Sequence, residues 1–266
     1  MALTINTNLE ALDASRNLNS TENMLATSME RLSSGLKINS AADDVAGYAI
    51  SENLTSQVNG LNQASENIQD AVALTQTAQG ALNDIEQMLQ RVRELSVEKE
   101  NGTTSTEGKA AIEEEQEDLL KEIERVAKTT TFNGTELLEG GAAIAFQVGP
   151  NSGTEEKIEV TAGTVGTIVT TIGAASALTL ETVTTGIEEV AKVAGEFGAA
   201  QDRIQYTQSN LEVYSQNLTS AQSALQDVNM ATEMTQFTKN EVLQQAGVAI
   251  LAQANQLPDA ALKLLE

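Results

Sequence analysis

Leucines recur at seven-residue steps near the start of the chain, at Leu18, Leu25 and Leu32, with Leu9, Leu12 and Met29 close by. This spacing predicts a helix over 9–32 with a narrow apolar seam, ended by Ser33-Ser34-Gly35. From Val45 to Glu98 there is no Pro, and apolar or small residues fall at Leu54, Val58, Leu61, Ser65, Ile68, Val72, Thr75, Ala78, Leu82, Ile85, Leu89 and Val92. The steps alternate between 4 and 3, with two successive steps of 3 around Thr75 that overwind a supercoil locally. Asp43 or Asp44 is the expected N-cap. A helix of ~55 residues is ~80 Å long, more than the diameter of a compact domain of this mass, so the pattern predicts a rod. A further helix over 107–128 has its seam at Ile112, Gln116, Leu119, Ile123 and Val126, and Phe132-Asn133-Gly134 closes it.

The period then changes from 3.6 to 2. Ile144, Phe146 and Val148 alternate, Pro150-Asn151-Ser152-Gly153 forms a turn, and Ile158 and Val160 alternate again, which predicts a β-hairpin. The Thr-, Val- and Gly-rich stretch 161–180 is expected to form another strand or ribbon. Helical order returns with Val190, Phe197, Ile204, Leu211, Leu218 and Leu225 spaced by seven. Val193, Ala200, Thr207, Tyr214, Ala221 and Val228 each follow by three. That is an a/d seam over six heptads, whose weak d positions suit a bundle better than an isolated dimer. A last amphipathic helix over 230–255, with Met234, Phe237, Leu243, Val248 and Leu251 as apolar positions, is expected to stop at Leu257-Pro258.

The expected fold is mainly α: an elongated antiparallel helical bundle or coiled-coil rod, with a small β-hairpin region at one end and paired terminal helices at the other. The expected domains are 1–44 with 228–266, and a rod over 45–227 that includes a short β-hairpin or variable insert at 140–182. Its core positions are Leu54, Leu61, Ile68, Leu82, Leu89, Ile123, Phe197, Ile204, Leu211, Leu218 and Leu225. The terminal helices carry the seams expected to drive self-assembly: Leu18, Leu25, Leu32, Met234, Phe237, Leu243, Val248 and Leu251. Each terminal helix is marginal alone in water. Even when paired, two helices leave apolar surface uncovered, and copies of the same molecule are the simplest cover.

Composition narrows the function further. The 266 residues include no His, Cys or Trp, and 3% are aromatic. A Ser-His-Asp triad, a thiol nucleophile, a disulfide and the usual zinc sites are therefore excluded. A net charge of -23 argues against nucleic acid and against an anionic membrane face. No stretch reaches ~18 apolar residues, so membrane insertion is not expected. Neither phosphate-binding glycine motif occurs. The acidic run from Glu113 to Asp118 reads as a solvated helix flank. No catalytic, cofactor-binding or metal site is expected, and the chain is not expected to be an enzyme. Its N-terminus carries no cleavable signal peptide, which by ordinary rules predicts a cytoplasmic protein.

Motifs at both ends revise that last expectation. INTN (Ile5 to Asn8), RLSSGLKINSAADD (Arg31 to Asp44), Ala46-Gly47 and LQRVRELSV (Leu89 to Val97) resemble the N-terminal signature of bacterial flagellins. Ala231-Thr232-Glu233, LQQAG (Leu243 to Gly247) and LAQANQ (Leu251 to Gln256) resemble the C-terminal one. Phe132-Asn133-Gly134 and FQVG (Phe146 to Gly149) also match. The resemblance covers roughly 1–150 and 185–266 and implies a minimal flagellin with little outer domain. It implies export through the flagellum's own channel without a cleaved signal, hence an extracellular location. It also implies a helical homopolymer, with a flagellar export chaperone and a filament cap as partners. Terminal segments of the family order only on assembly. The family's monomers are detected by a Toll-like innate receptor, and the matching contact residues are Arg91, Leu95 and Glu115. Two other readings are a hook–filament junction protein, which resembles flagellin at both ends, and a cytosolic coiled-coil scaffold.

Overall fold

The computed structural model describes residues 8–174 and 178–263, the side chains of 173, 174 and 257–263 excepted. Ile5 to Thr7, residues 175–177 of the predicted 161–180 ribbon and the tail from Leu264 lie outside the described residues. The structure is 78% helical, with six helices and two small antiparallel sheets among the described residues. The helices are α1 (Leu9–Ser34), α2 (Val45–Glu100), α3 (Thr106–Thr129), α4 (Val165–Ala174), α5 (Leu180–Gln226) and α6 (Met230–Lys263). The strands are β1 (Thr131–Phe132), β2 (Thr135–Glu136), β3 (Ile144–Gln147) and β4 (Lys157–Val160). Two compact units divide the chain: Met1–Ser56 with Leu218–Glu266, and Gln57–Asn217. They are called here the terminal and central units. Their limits fall inside α2 and α5, both of which supply residues to each unit.

The central unit holds nearly all of the buried apolar surface. Along α2 the stripe Leu61, Ala64, Ile68, Ala71, Leu74, Ala78, Leu82, Ile85, Leu89, Val92 and Leu95 is buried. Thr75 lies within it at 0% exposure, and its hydroxyl donates to the carbonyls of Ala71 and Val72 at 3.0 and 2.9 Å. The satisfied hydroxyl removes the cost of burying a polar group there. On α3 the buried residues are Ile112, Gln116, Leu120, Ile123 and Ala127. The predicted Leu119 and Val126 are half-buried instead. The seam therefore drifts by one position after Gln116. On α5, Val190, Val193, Phe197, Ala200, Ile204 and Leu211 are buried, while Thr207 is half-buried and Tyr214 exposed. Of the predicted core, Leu61, Ile68, Leu82, Leu89, Ile123, Phe197, Ile204 and Leu211 are buried here. Leu54, Leu218 and Leu225 belong to the terminal unit and are only half-buried.

The 161–180 stretch departs from the predicted ribbon. It contains helix α4, whose Val165, Ile168, Val169 and Ile172 are all buried at three- and four-residue spacing. The β-branched residues suggested a strand, but burial of one helical face overrides that local preference. The residues Phe132-Asn133-Gly134 do more than end α3. They turn the β1–β2 hairpin, in which Thr131 pairs with Glu136 and Phe132 with Thr135. Asn133 and Gly134 both have positive φ, 48° and 80°, as a tight two-residue hairpin turn demands. The predicted β3–β4 hairpin is present, with Ile144 opposite Val160 and Phe146 opposite Ile158. Asn67 of α2 donates to the Gln147 carbonyl at 2.9 Å and holds this hairpin. Nearby, a Cβ at Gly60 would stand 2.8 Å from the Pro150 Cβ, so only glycine permits that approach.

In the terminal unit α1 and α6 run antiparallel. Leu36 bridges to Asp227, a Cβ on Gly247 would meet Leu18 Cδ1 at 3.3 Å, and Asn8 reaches Ala254. Helix α6 does not stop at Pro258 but continues to Lys263. One proline removes one helical hydrogen bond, and the helix passes over it.

Candidate self-association surface

Asn8 fixes the start of α1 twice. Its Oδ1 accepts from the Ala11 amide at 3.0 Å as an N-cap, and its Nδ2 donates to the Ala254 carbonyl of α6 at 2.7 Å. The other end of α1 closes at Gly35 (φ 75°), whose amide donates to Arg31. Across the bend, the Val228 amide donates to the Gly35 carbonyl at 3.0 Å and the Lys37 amide to the Gln226 carbonyl at 2.6 Å. Ser51, 1% exposed, donates to Gln226 Oε1 at 2.8 Å, and Gln222 donates to Thr55 at 2.8 Å. These bonds tie the bend after α1 to the α5–α6 junction.

The two aspartates between α1 and α2 divide the capping work. Asp44 Oδ1 accepts from the amides of Ala46 and Gly47 and caps α2. Asp43 instead accepts from the amides of Asn39 and Ser40 and from the Ser40 hydroxyl. Those backbone amides, Ser40's first, hold the Asp43 carboxyl below the usual aspartate range. A Cβ on Gly47 would stand 2.6 Å from Ile38 Cδ1, so the start of α2 also requires glycine.

The faces of α1 and α6 are the informative geometry. On α1 the half-buried or buried positions include the series Ala11, Ala14, Leu18, Thr21, Leu25, Ser28 and Leu32, with Ser15, Thr27 and Arg31 beside it. On α6 they are Glu233, Phe237, Asn240, Gln244, Gly247, Leu251 and Ala254. Both series step by 3 and 4, as a two-helix seam should. The α6 seam is mostly polar or small. Apart from Phe237 and Leu251, the larger described apolar residues of α6 lie off it: Met230, Met234, Val242, Leu243, Val248 and Ile250 are 46–59% exposed. Leu9, Leu12, Met24 and Met29 of α1 are exposed as well. Of the predicted assembly residues, Leu18, Leu25, Leu32, Phe237 and Leu251 thus lie on the seam between the two helices. Met234, Leu243 and Val248 do not. Leu243 and Val248 flank it, next to Gln244 and Gly247, and Met234 lies further round the helix.

The predicted receptor residues are likewise divided. Arg91 and Glu115 meet at the surface of the central unit, with Arg91 Nη2 2.9 Å and Nε 3.1 Å from Glu115 Oε1. Glu115, and secondarily Glu94, raises the Arg91 guanidinium above its ordinary value. Leu95 does not share that surface. It is 1% exposed, one helical turn beyond Arg91 on the inward face of α2, and serves as core. Among the described residues no group of three metal-ligating side chains occurs, and no helix is long and apolar enough to cross a membrane.

The described residues thus form a two-helix layer with exposed apolar side chains and a central unit with a buried apolar core. Comparison with known proteins gives the family. The bacterial flagellin N-terminal helical region matches residues 5–143 and the bacterial flagellin C-terminal helical region matches 180–265. The chain belongs to the bacterial flagellin family and is a structural subunit of the filament class. It is 43% identical to a flagellin of Halalkalibacterium halodurans, covering 98% of this chain and 99% of that one. It is 38% identical to a flagellin of Bacillus subtilis, again over 98% and 99%. A crystal structure of Bacillus cereus flagellin aligns with a TM-score of 0.42 at 24% identity, over 57% of this chain and 88% of that one.

Proposed function

We propose that this subunit is exported and polymerises into an extracellular flagellar filament through the outward apolar faces of α1 and α6. The observation that carries this reading is the distribution on α6, where only two large apolar residues among those described, Phe237 and Leu251, are on the seam while Met234, Val242, Leu243, Val248 and Ile250 stay exposed. Fully burying one such side chain contributes roughly 1.5–3 kcal/mol. Ordering a residue costs about 1–2 kcal/mol of backbone entropy, so the terminal helices become stable only when neighbours cover several of these side chains together. Assembly is accordingly cooperative. An export chaperone would protect these faces before secretion, and a cap would hold incoming subunits at the growing end.

Removal of residues 1–40 or 228–266 should abolish filaments and leave the central unit folded. Normal filaments from either truncation, seen by electron microscopy, would contradict the proposal. Added salt should promote assembly, because it screens repulsion between subunits of charge -23. As monomer, the protein is also a ligand for a Toll-like innate receptor. Arg91 and Glu115 form the charged contact, and buried Leu95 supports the helix surface beneath them. Replacing Arg91 by Ala should weaken receptor activation while filaments still form.

A further inference from the structure

The exposed apolar faces carry an unusual share of the chain's sulfur. The sequence has six methionines and no cysteine, so every sulfur atom is a thioether. Four of the six, Met24, Met29, Met230 and Met234, are 46%, 55%, 49% and 49% exposed. All four lie in the terminal unit. The antiparallel pairing, with Leu18 beside Gly247 and Leu36 beside Asp227, brings Met29 level with Met234. Met230 lies one turn closer to the Gly35 bend, and Met24 two turns further along α6 from Met234. On α1, Met24 and Met29 flank the seam from either side, at the positions before Leu25 and after Ser28. The half of the helix pair nearest the bend therefore presents accessible thioethers on both sides of its seam. By contrast, Met88 in the central unit is half-buried.

Resting on the self-assembly reading, we infer that these four methionines are an oxidation-sensitive modification site that controls polymerisation. The oxidant class is a peroxide. A sulfur lone pair attacks the distal peroxide oxygen, the O–O bond breaks and an S–O bond forms. Sulfur loses two electrons and the peroxide is reduced to water. The product sulfoxide is a strong dipole where the neighbouring subunit must present apolar surface. Burying it there without a hydrogen-bond donor opposes assembly. Since the chain has no thiol, no competing cysteine oxidation intervenes, and the modification is reversible by methionine sulfoxide reductases of both stereochemical classes.

The test uses the full-length chain and hydrogen peroxide. Peptide mass mapping of the treated monomer should find sulfoxide at Met24, Met29, Met230 and Met234 before Met88. Salt-induced assembly, followed by light scattering and electron microscopy, should then show a critical concentration raised at least about tenfold, equivalent to ~1.4 kcal/mol. Sulfoxide reductases should restore it. A variant with all four residues changed to Leu should assemble before and after peroxide. If that variant folds poorly, single Met→Leu changes mapped against residual inhibition take its place. Preformed filaments should oxidise more slowly at these four positions than monomers do. Oxidised protein that assembles at the untreated critical concentration overturns the inference. So does equal peroxide inhibition of the four-Leu variant. Failure of untreated protein to assemble under any salt condition overturns the self-assembly reading, and this inference with it.

Discussion

The two units differ in where they keep their apolar side chains. Among the described residues, every buried apolar side chain except Ile38 and Ala254 lies in the central unit. Every large exposed one except Val97, Tyr206, Val213 and Tyr214 lies in the terminal unit. The central unit thus has a core of its own, including Phe197, Ile85 and Leu138 at 2% exposure or less. The terminal unit has a seam of mixed polar, small and apolar residues, a set of backbone bonds at its bend, and many exposed apolar side chains. One unit is stabilised by what it buries alone. The other, on the proposed function, is stabilised by what it can bury against copies of the chain. Family membership gives a structural role, and the proposed function puts the source of cooperativity in the terminal unit.

Substitutions should separate the two regimes. The largest effect on the monomer is expected from Phe197→Ala, which removes a buried ring from the central core and should cost about 3–5 kcal/mol in thermal or denaturant unfolding. Gly60→Ala comes next. Its added methyl would press on Pro150 beside the β3–β4 hairpin and should cost about 1–3 kcal/mol, read in the same experiment. Asn8→Ala removes a cap and the bond to Ala254 together. It should cost ~0.5–2 kcal/mol, confined to α1 and α6 and visible as faster amide exchange there in the assembled filament. Val248→Asp should leave the monomer's unfolding unchanged within ~0.5 kcal/mol, because the side chain is exposed, yet prevent filament formation in light scattering. Filaments of normal length from that variant would erase the distinction between the units. Last is a pH effect at the bend. Since the folded Asp43 carboxyl is lowered below its ordinary value of 3.8, its capping is fully present above that value. It is lost as pH falls through the folded one. NMR should find the Asn39 and Ser40 amides shifting in that acid window, and a transition above pH 3.8 would contradict the assignment.

Much of the central unit was legible because its periodicity and its burial coincide. The heptad residues from Val190 to Leu211 are buried as their spacing predicts, and so are the β3–β4 partners Ile158 and Val160. The α4 region was not legible. Thr167, Thr170 and Thr171 are β-branched and their hydroxyls turn back onto helix carbonyls, a use that composition does not reveal. The α6 face was legible only in part: its apolar positions were found, but not the polar and small ones that pack on α1. A search for apolar stripes selects Met234, Leu243 and Val248, whereas the helix pairs through Asn240, Gln244 and Gly247. In an isolated domain such a pattern would be a packing error. In a subunit whose partners are other copies, the apolar stripe marks the intermolecular face. Asn8 was visible as part of a motif, but its double role as cap and as interhelix donor depends on Ala254, 246 positions away. The missing signal for Leu95 was burial. A motif match marks a position and does not say whether the side chain reaches the surface.

The central claim is that α1 and α6 gain their stability from neighbouring subunits. Amide hydrogen exchange measured on the monomer and on salt-assembled filaments tests it most directly. In the monomer, α1 and α6 should exchange near the rate of local fraying while the central stretches of α2 and α5 stay protected. In the filament, the amides of α1 and α6 should become at least as protected as those of the central core. Equal protection of α1 and α6 in monomer and filament would contradict the account.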